Sequence, residues 1–125
     1  MGEMSPVGAV RVRRVYEAPE PDDGARVLVD RLWPRGLSKA DAQLTEWCKD
    51  VAPSVELRRW YGHQEERFAR FAERYREELA QEGAQQALER LRALADEGPL
   101  TLLTATKDVP SSHAAVLAEV LQEDF

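Results

Sequence analysis

Two short apolar runs do most to limit the folds open to this chain: residues 26–30, Arg26-Val27-Leu28-Val29-Asp30, and residues 100–105, Leu100-Thr101-Leu102-Leu103-Thr104-Ala105. The centre of the first is continuously apolar, as an interior strand covered on both faces should be. Each run is followed by a helix signal, and a long block of helical periodicity separates them. Strands linked by helical crossovers favour an α/β domain with a parallel core. If the two runs are parallel, their trailing loops open on the same edge of the sheet. Residues 30–39 should then lie beside residues 104–113, although about 75 positions separate them in sequence.

The other segments fit that frame. Residues 9–16 alternate apolar and basic in their first half, the period of a strand with one face buried. Residues 17–24 carry two prolines, two aspartates and a glycine, and read as a loop. Ser38 is a good N-cap, with Asp41 three residues on, for a helix running to about residue 49. A short helix follows Pro53-Ser54 and ends at Gly62. Residues 64–82 place Phe68, Phe71, Ala72, Tyr75 and Leu79 on one stripe, with Gly83 as the break. Residues 84–96 repeat that pattern with Leu88, Leu91 and Leu94. A last helix spans about 111–122, capped by Ser111 or Ser112. The expected fold is a small single α/β domain over residues 1–125, a mostly parallel short sheet flanked by helices, with residues 1–8 as a flexible tail. One domain suits the length.

In open α/β sheets, ligands bind outside the carboxyl ends of the strands. The loop after the first run offers Asp30, Arg31, Trp33 and Arg35, shaped by Pro34 and Gly36. A guanidinium presents a planar fork of donors that matches phosphate or carboxylate oxygens. The plainer alternative is a strand-end aspartate paired with a nearby arginine, with Trp33 as core filling. The second loop offers Thr104, Thr106, Lys107, Asp108, Ser111, Ser112 and His113. Asp30 and Asp108 are the acid–base candidates, since desolvation can raise a carboxyl pKa into a useful range. Arg31, Trp33, Arg35, Lys107 and His113 are the ligand-binding candidates. Against this, Asp108 could simply cap the last helix and Lys107 could be solvated. His63 is by default a capping or surface residue, and Arg58 and Arg59 either form an exposed pair or reach the site.

Composition narrows the ligand. The net charge of −6 disfavours a polyanion. Residues 1–62 hold ten basic and ten acidic side chains, whereas residues 63–125 hold seven and thirteen. The arginine-rich loop lies in the balanced half, so a local basic pocket on an acidic body suits a small anion better than a long nucleic acid. Cys48 is the single cysteine, which excludes an internal disulfide. It has no arginine six residues on, since position 54 is serine, and this excludes the cysteine–arginine phosphatase loop. No metal-ligand spacing, dinucleotide loop or Walker loop is present, so neither metal nor cofactor is expected. No secretory signal opens the chain and no apolar stretch is long enough to cross a bilayer. A cytoplasmic protein with no membrane partner is expected. The sequence sets no oligomeric state.

The run Val29-Asp30-Arg31-Leu32-Trp33-Pro34-Arg35-Gly36 resembles the signature of domain-of-unknown-function family 488, the YeaO-like proteins. So do Leu57-Arg58, Trp60-Tyr61-Gly62-His63, Arg67-Phe68, Phe71, Arg74-Tyr75 and Glu78-Leu79. The stretch from Leu102-Leu103 to Lys107-Asp108 is similar too, as are His113-Ala114 and Val116-Leu117. The similarity runs from about residue 10 to 121. It departs at Thr104, Thr106 and Ser112, where the family often has tyrosine, alanine and asparagine. The resemblance implies a small α/β domain whose recurrent polar positions are Asp30, Arg31, Arg35, Lys107 and Asp108. It brings no reaction. The reading that follows is a pocket for a small anion or nucleotide, open to catalysis, at the carboxyl edge of the sheet. One alternative is a non-enzymatic module binding nucleic acid or protein, with Arg11, Arg13 and Arg14 as a basic face. Another makes the polar loops purely structural.

Overall fold

The computed structural model describes residues 9–123. The segment 1–8, read above as a flexible tail, lies outside the described residues. Four strands, β1 (Val10–Arg14), β2 (Ala25–Leu28), β3 (Glu46–Trp47) and β4 (Leu100–Thr104), form one sheet in the order β1-β4-β2-β3. Every pairing is parallel. The helices are α1 (Lys39–Ala42), α2 (Val55–Tyr61), α3 (Phe68–Leu79), α4 (Glu82–Glu97) and α5 (His113–Glu123). No helix among the described residues is long and apolar enough to cross a membrane.

The two apolar runs are the central strands and lie side by side, with Val27 opposite Leu102 and Leu28 opposite Leu103. Side chains alternate across a strand, and here the alternation separates two cores. Val27, Val29, Leu100 and Leu102 face the larger one, which takes in Leu57 and Tyr61 of α2, Phe71 and Tyr75 of α3, Leu88 and Leu91 of α4, and Leu117 and Leu121 of α5. Leu28 and Leu103 face the other way, joined by Val15, and are covered by Trp33, Leu37, Leu44 and Trp47. Four helices therefore pack on one face. A loop with a single helical turn covers the other.

Three boundaries differ from the sequence reading. Ser38 caps its helix as expected, its hydroxyl accepting from the Asp41 N–H at 3.0 Å. The helix nevertheless stops at Ala42, because Gln43 turns left-handed at φ 47°. The cause is tertiary. The buried Arg26 guanidinium donates to the Ala42 carbonyl at 2.9 Å and its Nε lies 3.3 Å from the Gln43 carbonyl, which holds the helix end against the sheet. Freed at that point, the chain adds β3 on the far side of β2. The second difference is at Gly83, which lies in the first turn of α4; the break falls earlier, around Ala80 and Gln81. The third is at the last helix, which starts at His113 after a tight turn over Val109–Ser111.

The amino-terminal edge of the sheet is closed by charge. Asp23 is 1% exposed and meets three arginines: Arg26 at 2.5 Å, Arg11 at 2.8 Å and Arg13 at 3.0 Å. Burial pushes its carboxyl up, but the Glu20 N–H, Arg26 and Arg13 outweigh this and hold it below the ordinary aspartate range. Beside it, Gly24 (φ 66°) passes so close to Pro99 that a Cβ would sit 2.2 Å from the Pro99 oxygen. Arg11 and Arg13, read above as part of a basic face, are thus engaged by Asp23 and its acidic neighbours Asp22 and Glu17.

Candidate functional site

The carboxyl edge is built differently. The segment after β2 crosses to the thinly covered face, whereas the segment after β4 leads into α5 on the helical face. Adjacent parallel strands whose continuations part in this way leave a crevice between them. Here it is a cleft of about 560 Å³, within the usual range of roughly 300–1,000 Å³ for small-molecule sites.

The two loops do converge. Asp30 Oδ2 accepts from the Ala105 N–H at 2.8 Å, joining the strand ends directly. Asp30 Oδ1 lies 3.3 Å from His113 Nε2, which also lies 3.0 Å from the Val29 carbonyl. The His113 ring rests edge-on against Tyr75, with centroids 5.9 Å apart. Burial pushes the Asp30 carboxyl up. Its contact with His113, the Ala105 N–H and Thr104 pull it further the other way, so it sits below the ordinary aspartate range. An aspartate so held is a fixed negative charge near neutral pH. Its partners are an imidazole and a backbone N–H, not the arginines of its own loop.

Those arginines face elsewhere. Arg31 donates to the Ala52 and Pro53 carbonyls, both at 3.3 Å, and lines the cleft. Arg35 is exposed at the rim, where its own carbonyl accepts from the Tyr16 hydroxyl at 2.9 Å. Arg58 and Arg59, in the last turn of α2, line the same cleft. None of the four makes an ion pair with a described residue, and Asp30 is the one carboxylate among the described lining residues. Arg31 also borders a second cleft that includes Asp50, Glu56 and Glu78. There the Glu78 carboxylate is taken up by the Ser54 N–H and hydroxyl, at 2.8 and 2.6 Å.

The other sequence candidates separate. Trp33 lines the cleft but is anchored: its Nε1 donates to the Leu37 carbonyl at 2.7 Å, and its ring meets Trp47 edge-on with centroids 5.3 Å apart. Lys107 and Asp108 are exposed and are not among the lining residues; no side-chain hydrogen bond or ion pair joins either to the cleft. The Asp108 charge is felt by Tyr61, whose hydroxyl is pushed up first by burial and then by that carboxylate. Tyr61 Oη donates to the Ser111 carbonyl at 2.7 Å and so ties α2 to the turn before α5. Cys48 is buried, and its thiol is pushed up by burial and by the charges of Glu46 and Asp50, which disfavours the reactive thiolate.

Three lining residues carried little signal in the sequence. His63 follows Gly62, and both have left-handed backbones, φ 58° and 55°, which turn the chain out of α2 along the cleft. Tyr16 sits just past β1. Val55 opens α2, one turn before Arg58 and Arg59. Only the amphipathicity of α2, with Leu57 and Tyr61 inside, points Arg58 and Arg59 away from the core.

Among known proteins, the chain is similar to uncharacterized proteins of Mycobacterium tuberculosis and Mycobacterium bovis. Each is 58% identical over 112 residues, covering 90% of this chain and 92% of the relative. It is also similar to the uncharacterized Escherichia coli protein YeaO, 45% identical over 113 residues, covering 90% and 96%. No solved structure matches it. A family model described as the inactive DUF488-N3 subclade matches residues 9–125. The chain belongs to that family, as the run from Val29 to Gly36 leads one to expect.

Proposed function

We propose that this protein is a binding module that seats a small anion in the cleft between the ends of β2 and β4, without turnover. One observation carries the reading. Arg31, Arg35, Arg58 and Arg59 border one concave site whose single carboxylate among the described residues, Asp30, is already held by Ala105 and His113. Four like charges gathered without acidic partners repel one another, and an anion between them relieves that repulsion. Guanidinium forks suit phosphate or carboxylate oxygens. The description of the matched family as inactive supports binding over catalysis.

A cytoplasmic setting fits this reading. A nucleic-acid partner fits it less well, given the net charge of −6 and the pairing of Arg11 and Arg13 with Asp23. Lys107 and Asp108, exposed and outside the cleft lining, have no part in holding the seated group on this reading.

Calorimetric titration with phosphate, sulfate and nucleotides tests the proposal, with affinity expected to fall as salt rises. Arg35→Ala and Arg58→Ala should each weaken binding by about tenfold, the equivalent of one charged hydrogen bond. If both variants bind every such anion as the parent does, the proposal fails.

The contact of Asp30 with His113 favours a second reading, in which His113 is the acid–base group and Asp30 orients it. On that reading an activated phosphate ester turns over, and His113→Ala stops turnover while phosphate binding persists. Absence of turnover in the parent removes it.

A further inference from the structure

Resting on the anion reading, we propose that the ligand is an organic phosphate with an apolar or ring-bearing body and not a bare inorganic ion. Among the described residues, three large hydrophobic side chains are exposed: Tyr16 at 42%, Leu32 at 68% and Val55 at 45%. All three line the same cleft as the four arginines. Exposed apolar residues scattered singly need no cause. These come from three separate segments, the end of β1, the loop after β2 and the first turn of α2, and they meet at one site.

Each apolar side chain is also placed beside a cation. The Tyr16 hydroxyl binds the Arg35 carbonyl at 2.9 Å, and the Arg14 guanidinium lies 5.1 Å from the centre of its ring. That holds the ring between the Arg35 backbone and the Arg14 guanidinium. Val55 lies three and four positions before Arg58 and Arg59, hence on neighbouring surface of α2. Leu32 stands between Arg31 and Trp33 in the loop. A bare phosphate would use the guanidinium groups, fill a small part of about 560 Å³ and leave the apolar surface wet. An ester whose phosphate meets the arginines and whose body lies over Tyr16, Leu32 and Val55 uses both. The cleft volume suits a small molecule.

The test compares inorganic phosphate, glycerol 3-phosphate and phenyl phosphate by calorimetry on the parent and on a Leu32→Ser/Val55→Ser double variant. Both positions are exposed, so the fold does not depend on them. Phenyl phosphate should bind the parent about tenfold or more tighter than inorganic phosphate, from burial of its ring. Glycerol 3-phosphate, with a polar body, should gain little. In the double variant the advantage of phenyl phosphate should shrink severalfold while inorganic phosphate binds as before. If inorganic phosphate binds but phenyl phosphate binds no tighter, this inference is overturned and the anion site stands. If the advantage survives intact in the double variant, the inference is likewise overturned. If none of the three binds, the anion reading falls, and this inference with it.

Discussion

Asp30 and Ala105 are 75 positions apart in the chain, yet the aspartate Oδ2 accepts a hydrogen bond from the alanine N–H at 2.8 Å. That bond joins the carboxyl ends of the two central strands at the point where the chain leaves them toward opposite faces. Both residues line the cleft, and the bond leaves Oδ1 for His113.

Asp30→Asn should cost about 1.5–3 kcal/mol near neutral pH, the scale of hydrogen bonds to a charged group. The Asp30 carboxyl is held below its ordinary value in the folded protein. Its contribution is therefore complete above the unfolded value of about 3.9 and is lost as pH falls through the lower folded value. Thermal melts from pH 5 to pH 2 should show the gap between parent and variant narrowing below about pH 4. A gap that widens across that range would contradict the assignment.

Asp23→Ala should be the most destabilising change on the amino-terminal edge, at about 3–5 kcal/mol, because it strands the buried Arg26 beside Arg11 and Arg13. Denaturant unfolding at neutral pH measures it. A loss under 1 kcal/mol would mean that the arginines find other partners.

Arg58→Ala and Arg59→Ala should change stability by less than about 0.5 kcal/mol, or raise it slightly, since neither residue has an acidic partner among the described residues. Paired measurements of melting and phosphate affinity separate a ligand-binding arginine from a structural one. Large destabilisation with unchanged affinity would favour the structural reading.

Cys48 should resist thiol reagents in the native protein at neutral pH and react once the chain unfolds. It is 7% exposed and its thiol is pushed up by burial. Timed alkylation with and without denaturant reads this directly; rapid native labelling would show that the β3 edge opens.

The paired central strands were legible because Val27 to Val29 is apolar without interruption and Leu100 to Leu103 sets three leucines around one threonine, and their shared edge followed from parallel pairing. β3 was not, because Glu46-Trp47 is too short to carry a period and the early end of α1 is imposed by Arg26 from the neighbouring strand. The same limit applies to the site. Arg31 and Arg35 announce themselves in one loop, whereas Arg58 and Arg59 reach the cleft only through the docking of α2, which Tyr61 fixes across 50 positions of sequence. Lys107 and Asp108 stand in the expected loop, but a turn there directs them to solvent. Asp23 gathers arginines from β1 and β2, a grouping that only the sheet creates.

The unequal cover of the sheet sets which part of the molecule opens first. Local opening free energy follows the apolar contacts that must be broken. Residues 31–45 guard their face with Trp33, Leu37 and Leu44 against a three-residue buried cluster, while four helices guard the other. Amide protons of that segment should therefore exchange ahead of those in β2 and β4. Arg31 and Arg35 belong to it. One wall of the cleft thus rides on the less stable layer, and a ligand that bridges to Arg58 and Arg59 would act as a clasp, slowing exchange across residues 31–45 in proportion to its occupancy.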